Sequence, residues 1–80
     1  MIGTITNKNM HTEFKNVIPG KIYQHYKGGL YEVLQLAKNT DNDEIMVIYR
    51  SIQFGTYYAR PLIDWNTSVN NNPRFFVYNG

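Results

Sequence analysis

Cysteine is absent from this 80-residue chain, which excludes disulfide bonds and thiolate metal sites as sources of stability. No hydrophobic run approaches the roughly 18 residues that a membrane-spanning helix needs, and helical periodicity of useful length is missing too. The net charge is only +2, which is too small and too evenly spread to attract nucleic acid strongly. These absences favour one small domain that does not bind membranes.

Aromatic residues are what the chain has in abundance, at 15% of its residues. Large rings are one way for a short chain to bury enough apolar area for stability. We therefore expect a core built from tyrosine, phenylalanine and Trp65 more than from aliphatic side chains.

The beginning of the chain differs from the rest in being polar. Residues 1–16 are predicted to form a flexible arm, in which Met1 to Thr6 are a possible extra strand, and residues 17–80 a single domain. The first ten residues lack the basic start and apolar centre of a secretory signal, so a cytoplasmic location is expected. The glycosylation sequon Asn66-Thr67-Ser68 is then a chance match.

Two runs rich in aromatic and branched residues, 21–27 and 30–38, flank the pair Gly28-Gly29. Glycine pairs suit the two central positions of a tight β-hairpin turn, so the runs are predicted to pair as antiparallel strands. Counting outward from the turn sets the expected pairs: Tyr26 with Tyr31, His25 with Glu32, and Tyr23 with Leu34. Neither resulting face is cleanly polar, which favours a curled sheet or barrel.

Three more strands are predicted downstream, at residues 44–50, 56–60 and 74–78, with turns at 39–43 and 51–55. Pro61 ends the fourth strand and suits the first position of a short 3-10 or helical turn over residues 61–65. Residues 66–73 are predicted to be a polar, unpacked loop. The fold class predicted is all-β, a small SH3-like barrel of about five strands.

The segment from Gly20 to Val33, GKIYQHYKGGLYEV, resembles the opening of the bacterial family DUF1653, whose pattern is roughly G-x-Y-x-H-Y-K-G-x-x-Y-x-V. The similarity continues through residues 47–50, 59–62 and 73–75, and covers about residues 19–77. It implies a compact, mostly-β domain of SH3-like type and no established activity. Trp65 stands where a smaller aromatic is expected, and Asn70-Asn71-Asn72 replaces a charged, glycine-containing turn.

His25 is the first candidate for chemistry, and two interpretations stay open. It is either a ligand-binding or proton-handling group oriented by Glu32 across the hairpin, or a structural histidine that maintains strand register. The chain offers neither a nucleophile–base set nor a phosphate-binding glycine loop. His11 is the other histidine, and Asp41 to Glu44 lack the calcium-loop pattern, so no metal or cofactor is expected.

A second candidate is a collective surface of rings and cations, which stack on flat groups and donate hydrogen bonds at their edges. The tentative ligand-binding residues are Tyr23, His25, Tyr26, Lys27, Tyr58, Arg60 and Arg74, within a wider set that includes Tyr31, Tyr49, Arg50 and Tyr57. Tyr31 and Tyr49 are expected in the core. Arg60 is alternatively a structural residue that ties the short helical turn to Glu32 or Asp64.

The function predicted is a small binding module for a protein segment or a nucleic acid, with a slight preference for protein because the charge surplus is small. One alternative is a small enzyme that uses His25 and Glu32 as an acid–base pair. Another is a purely structural domain that dimerises through an edge strand, such as the arm. A monomer or weak dimer is expected.

Overall fold

The structure, a computed structural model, describes residues 17–80, so the arm and its possible strand lie outside the described residues. Within residues 17–80, seven short strands and one helix follow one another. They are β1 (Ile22–His25), β2 (Leu30–Lys38), β3 (Ile45–Ser51), β4 (Tyr57–Pro61), α1 (Leu62–Trp65), β5 (Ser68–Val69), β6 (Asn72–Pro73) and β7 (Phe75–Val77). The predicted all-β class is confirmed.

Five of the strands form one antiparallel sheet in the order β4-β3-β2-β1-β7. The strands at its two ends do not pair with each other, so residues 17–80 form an open curled sheet and not the closed barrel that was predicted. Closure requires continuous pairing around the ring, and among the described residues β4 and β7 remain edges.

The β1–β2 hairpin differs from its prediction in register. Tyr31 lies opposite Tyr23, where the two-glycine turn placed it opposite Tyr26. The His25 N–H donates to the Gly29 carbonyl and the Gly28 N–H to the His25 carbonyl, so Tyr26, Lys27 and Gly28 form the turn. Gly28 has a φ of 112°, as expected at the glycine of a bulged three-residue hairpin loop.

This change of register exchanges the two faces of β1 relative to β2, because side chains alternate along a strand. Tyr23 and His25 therefore share one face with Tyr31 and Val33. Along β2, the register with β3 shifts between Val33 and Gln35, which leaves Leu34 in a β-bulge. Such a bulge bends a strand and increases its twist, and so helps the sheet to curl around its core.

The connection between β4 and β7 is more ordered than predicted. Pro61 precedes α1 instead of beginning it, and has a φ of −55° and a ψ of 138°. Residues 66–73 contain a second hairpin, in which β5 pairs with β6, so the prediction of an unpacked loop was wrong. Asn70 and Asn71 have φ angles of 52° and 68°, the left-handed pair that a two-residue type I′ turn requires.

Within residues 17–80 the core lies between the inner face of the sheet and α1, and half of its buried side chains are aromatic. Its buried side chains are Val17, Tyr23, Val33, Val47, Tyr49, Leu62, Trp65 and Phe75. The Tyr23 hydroxyl accepts a hydrogen bond from the Ile18 N–H at 2.8 Å, which satisfies a polar atom in this core. Within residues 17–80, no helix is long and apolar enough to cross a membrane.

Candidate functional site

The inner face of the sheet continues beyond the core into a partly exposed region of rings and cations. Tyr58 lies opposite Tyr49 on β3, and Arg60 lies opposite Val47, so both point to the same side as the core. We call this region the aromatic–basic surface and define it as His25, Tyr26, Lys27, Tyr31, Tyr58, Arg60 and Arg74.

Tyr31 is at the centre of the ring contacts of this surface. Its ring meets those of Tyr49, Tyr58 and His25 edge to face, with centroid distances of 5.5, 6.2 and 6.5 Å. A Cβ atom added to Gly29 would lie 3.0 Å from the Tyr31 ring, so this ring lies close over the glycine backbone. Tyr58 stacks on Tyr49 at 5.4 Å and remains 42% exposed.

Phe75 connects the core to the exposed part of the surface. Trp65 is stacked on it, with centroids 3.7 Å apart and an interplanar angle of 3°. The His25 ring meets Phe75 edge to face at 4.9 Å, and the guanidinium carbon of Arg60 lies 5.6 Å from the Phe75 centroid. His25 and Arg60 therefore both rest on one buried ring, which limits where each can move.

Arg60 is held by two side chains. Its Nη1 donates to Asp64 Oδ2 at 2.6 Å and its Nε donates to the Tyr49 hydroxyl at 3.2 Å. Burial disfavours its charge, but these two partners outweigh burial and raise the pKa of Arg60. The predicted tie from Arg60 to the helical turn is thus confirmed, with Asp64 as the carboxylate.

Arg74 and Lys27 carry the remaining charges of the surface. Arg74 Nε donates to Thr67 Oγ1 at 2.9 Å, and the Tyr26 N–H donates to the Arg74 carbonyl. The ion pairs within residues 17–80 are Arg50–Glu32 and Arg60–Asp64, so neither Arg74 nor Lys27 has a carboxylate partner there. Lys27 lies 5.8 Å from the Tyr26 ring.

His25 lies among these cations at the end of β1. Its Nδ1 accepts a hydrogen bond from the Lys27 N–H at 3.1 Å, so the proton of the neutral imidazole is on Nε2. Burial lowers the pKa of His25, and the positive charges of Arg60, Arg74 and Lys27 lower it further. These causes all favour the neutral ring, in which Nε2 is the donor.

The predicted cross-strand contact between His25 and Glu32 is wrong. His25 lies opposite Phe75 on β7, whereas Glu32 lies opposite Ile22 on β1 and Arg50 on β3. Since Glu32 follows Tyr31 directly, its side chain points to the other face of the sheet. There it accepts a hydrogen bond from Arg50 Nη2 at 2.5 Å, so it does not orient the imidazole.

The structure brings six of the seven tentative site residues together and separates one. His25, Tyr26, Lys27, Tyr58, Arg60 and Arg74 all lie at the aromatic–basic surface. Tyr23 is only 2% exposed, so its ring has no face available to a ligand. Tyr31, which was expected in the core, packs against the core but is only half-buried and also contributes to the surface.

Sequence reasoning missed Thr67 and Phe75 as supports of this surface. Thr67 orients Arg74 through its hydroxyl, and Phe75 supports His25 and Arg60. Their spacing in the chain gave no signal for this, because the β5–β6 hairpin lies between them. Among the residues that the structure describes, no group of histidine and acidic side chains could hold a metal ion.

Comparison with known proteins identifies a family and one solved structure. Residues 21–76 match the family model described as protein of unknown function (DUF1653). A crystal structure of a DUF1653 protein from Bordetella bronchiseptica is similar, with 34% sequence identity and a TM-score of 0.70. The similarity covers 84% of this chain and 92% of that one. No curated protein matches.

Proposed function

The chain belongs to the DUF1653 family of proteins of unknown function, and we propose that it is a binding module for an extended protein segment. The observation that carries this proposal is the position of β4. It forms one end of the five-stranded sheet, and its residues Tyr58 and Arg60 belong to the aromatic–basic surface. An extended segment that adds to this edge would therefore run beside that surface.

The hydrogen-bonding pattern of β4 supports strand addition. The Ser51 N–H donates to the Thr56 carbonyl, and such bonds alternate along an antiparallel pair. The backbone groups of Tyr57 and Ala59 then point away from β3, and both residues are exposed. An added strand would bond to Tyr57 and Ala59, and alternate side chains of it would lie over Tyr58 and Arg60.

The charges of the surface favour an acidic segment. Lys27, Arg60 and Arg74 all act on His25, so a cationic ligand would meet repulsion here. A nucleic acid would also meet attraction, but stacking on Tyr49 occupies one face of the Tyr58 ring and leaves only the other for a base. The small net charge of +2 also provides few cations for counterion release.

An Ala59→Pro variant tests strand addition directly. Proline removes the outward N–H of Ala59, and Pro61 already occupies the equivalent outward position two residues later in the same strand. The probe is an acetylated and amidated peptide that alternates glutamate with valine, titrated against the full chain and followed by amide NMR shifts. We expect binding that is lost in Ala59→Pro and retained in the matched control Ala59→Val.

Equal binding by the proline and valine variants would contradict strand addition at β4. A salt titration separates the peptide from the nucleic-acid alternative, with an oligothymidylate as the second probe. If the chain binds the oligonucleotide more tightly than the peptide, and this affinity falls steeply with salt, the ligand is a nucleic acid and not a protein segment.

A further inference from the structure

Arg60 and Arg74 share an arrangement that leaves some of their donors without a partner in residues 17–80. Each donates its Nε to a neutral hydroxyl, that of Tyr49 for Arg60 and that of Thr67 for Arg74. These bonds fix the plane of each guanidinium without cancelling its charge. Arg60 uses Nη1 on Asp64, whereas Arg74 makes no ion pair within residues 17–80.

The imidazole adds a donor beside these two groups. Because Nδ1 accepts the Lys27 N–H, the neutral ring presents its proton on Nε2. His25 and Arg60 both contact the Phe75 ring. Arg74 is linked to the same region through Thr67, whose hydroxyl accepts from Arg74 Nε and donates to the carbonyl of Asp64, the residue that pairs with Arg60. Two groups with hydrogen-bond donors therefore lie against one buried ring, and the guanidinium of Arg74 is connected to them through Thr67 and Asp64.

We propose that Arg74, His25 and Arg60 form a subsite for one carboxylate group of the bound segment. A planar guanidinium pairs with the two oxygens of a carboxylate, and such charge-assisted bonds are shorter and stronger than neutral ones. The subsite rests on the proposed function, since it names the group of the acidic segment that is recognised. Its partner is an aspartate or glutamate side chain of that segment.

The electrostatics of the site favour an anionic ligand. The charged groups that act on His25 are Lys27 on the turn, Arg60 on β4 and Arg74 next to β7. The carboxylate of Asp64 is paired with Arg60. A bound carboxylate would offset these charges and raise the pKa of His25 towards its ordinary value.

The first experiment follows the His25 ring protons by NMR while the full chain is titrated with sodium acetate at constant ionic strength, with sodium chloride as the blank. We expect a saturable shift, together with a rise in the pKa of His25. The shift is lost in Arg74→Gln, weakened in Arg74→Lys and kept in Lys38→Gln, which removes an equal charge from the far end of β2. Equal shifts in Arg74→Gln and the wild type would overturn the subsite, as would saturation by inorganic phosphate without saturation by acetate.

The second experiment separates the subsite from the function itself. The glutamate–valine peptide is compared with the same peptide carrying glutamine, which keeps the backbone and removes the carboxylates. We expect about a tenfold weaker affinity for the glutamine peptide, and no difference between the two peptides in Arg74→Gln. Equal affinity of the wild type for both peptides, with binding still lost in Ala59→Pro, would reject the subsite and leave strand addition in place.

Discussion

Trp65 and Phe75 lie ring on ring, with centroids 3.7 Å apart and planes within 3° of parallel. Trp65 ends α1, and Phe75 begins β7 on the far side of the β5–β6 hairpin. Tyr49 and Tyr23 meet the Trp65 ring edge to face at 5.0 and 5.5 Å. This one stack therefore joins the helix and the last strand to the middle of the sheet.

Replacing Trp65 by alanine is expected to lower the free energy of unfolding by about 3–5 kcal/mol, because the ring is buried and its loss leaves a cavity. That is a large share of the stability of a small domain. Urea unfolding followed by circular dichroism measures the change. Phe54→Ala is the control, since Phe54 is 76% exposed, and its effect should stay within about 0.5 kcal/mol. A loss below about 1 kcal/mol for Trp65→Ala would contradict the stack as a source of stability.

Tyr49→Phe is expected to lower the free energy of unfolding by about 1 kcal/mol. The variant keeps the buried ring but removes the hydroxyl that accepts the hydrogen bond from Arg60 Nε. The same urea titration applies. Tyr58→Phe is the matched control, since the Tyr58 ring is partly exposed and its hydroxyl makes no hydrogen bond within residues 17–80. Equal losses in the two variants would show that the bond from Arg60 contributes nothing specific.

His25 predicts a pH dependence of stability whose sign follows from its lowered pKa. Burial, then Arg60, Arg74 and Lys27, lower that pKa below 6.5, so the unfolded chain binds the proton more readily than the folded one. The free energy of unfolding therefore falls as the pH decreases from 6.5 towards the folded pKa. His25→Gln should show a smaller fall over this range, measured by urea titrations at several pH values.

The same charges predict how the His25 pKa responds to a neighbour. Arg74→Gln removes one of the three cations, so the pKa of His25 should rise towards 6.5. An NMR titration of the ring protons measures it, with Lys38→Gln as the control. An unchanged pKa in Arg74→Gln would show that the charge of Arg74 does not reach the imidazole.

Asn71 tests the turn of the second hairpin. Its φ of 68° is left-handed, which glycine adopts freely and a β-branched residue does not. We expect Asn71→Gly to keep or raise stability and Asn71→Val to lose about 1–2 kcal/mol. Thermal unfolding of the two variants measures the difference. A valine variant as stable as the glycine variant would argue against the type I′ turn.

Much of the fold was predictable because several signals in the sequence are local. The limits of β2 were predicted without error, since Leu30–Lys38 is a continuous run of strand-forming residues between a glycine pair and a polar turn. The ion pair between Arg60 and Asp64 was predicted as one of two alternatives, because the chain turns at Pro61 directly after Arg60 and brings Asp64 of the short helix near the end of β4. Asn70 and Asn71 also indicate a hairpin turn, because asparagine tolerates left-handed backbone geometry, although a loop was predicted there.

The register of the first hairpin could not be decided from composition. A two-residue turn at Gly28-Gly29 and a bulged turn at Tyr26–Gly28 both require a glycine at position 28, so the sequence fits either. The register decides which side of β1 is buried. The observed register buries Tyr23 and places His25 and Glu32 on opposite faces of the sheet. Tertiary contacts with β7 favour the observed register, and they are invisible to local patterns.

The neighbouring glycines of that hairpin resist substitution for unrelated reasons. Gly28 is favoured by its torsion angle, at a φ of 112°, whereas a methyl group at Gly29 would lie 3.0 Å from the Tyr31 ring, which would have to shift by a few tenths of an ångström. We therefore expect substitutions at both glycines to destabilise the turn, and a different second change to restore stability at each position. A D-amino acid would relieve position 28, and trimming Tyr31 to a smaller side chain would make room at position 29.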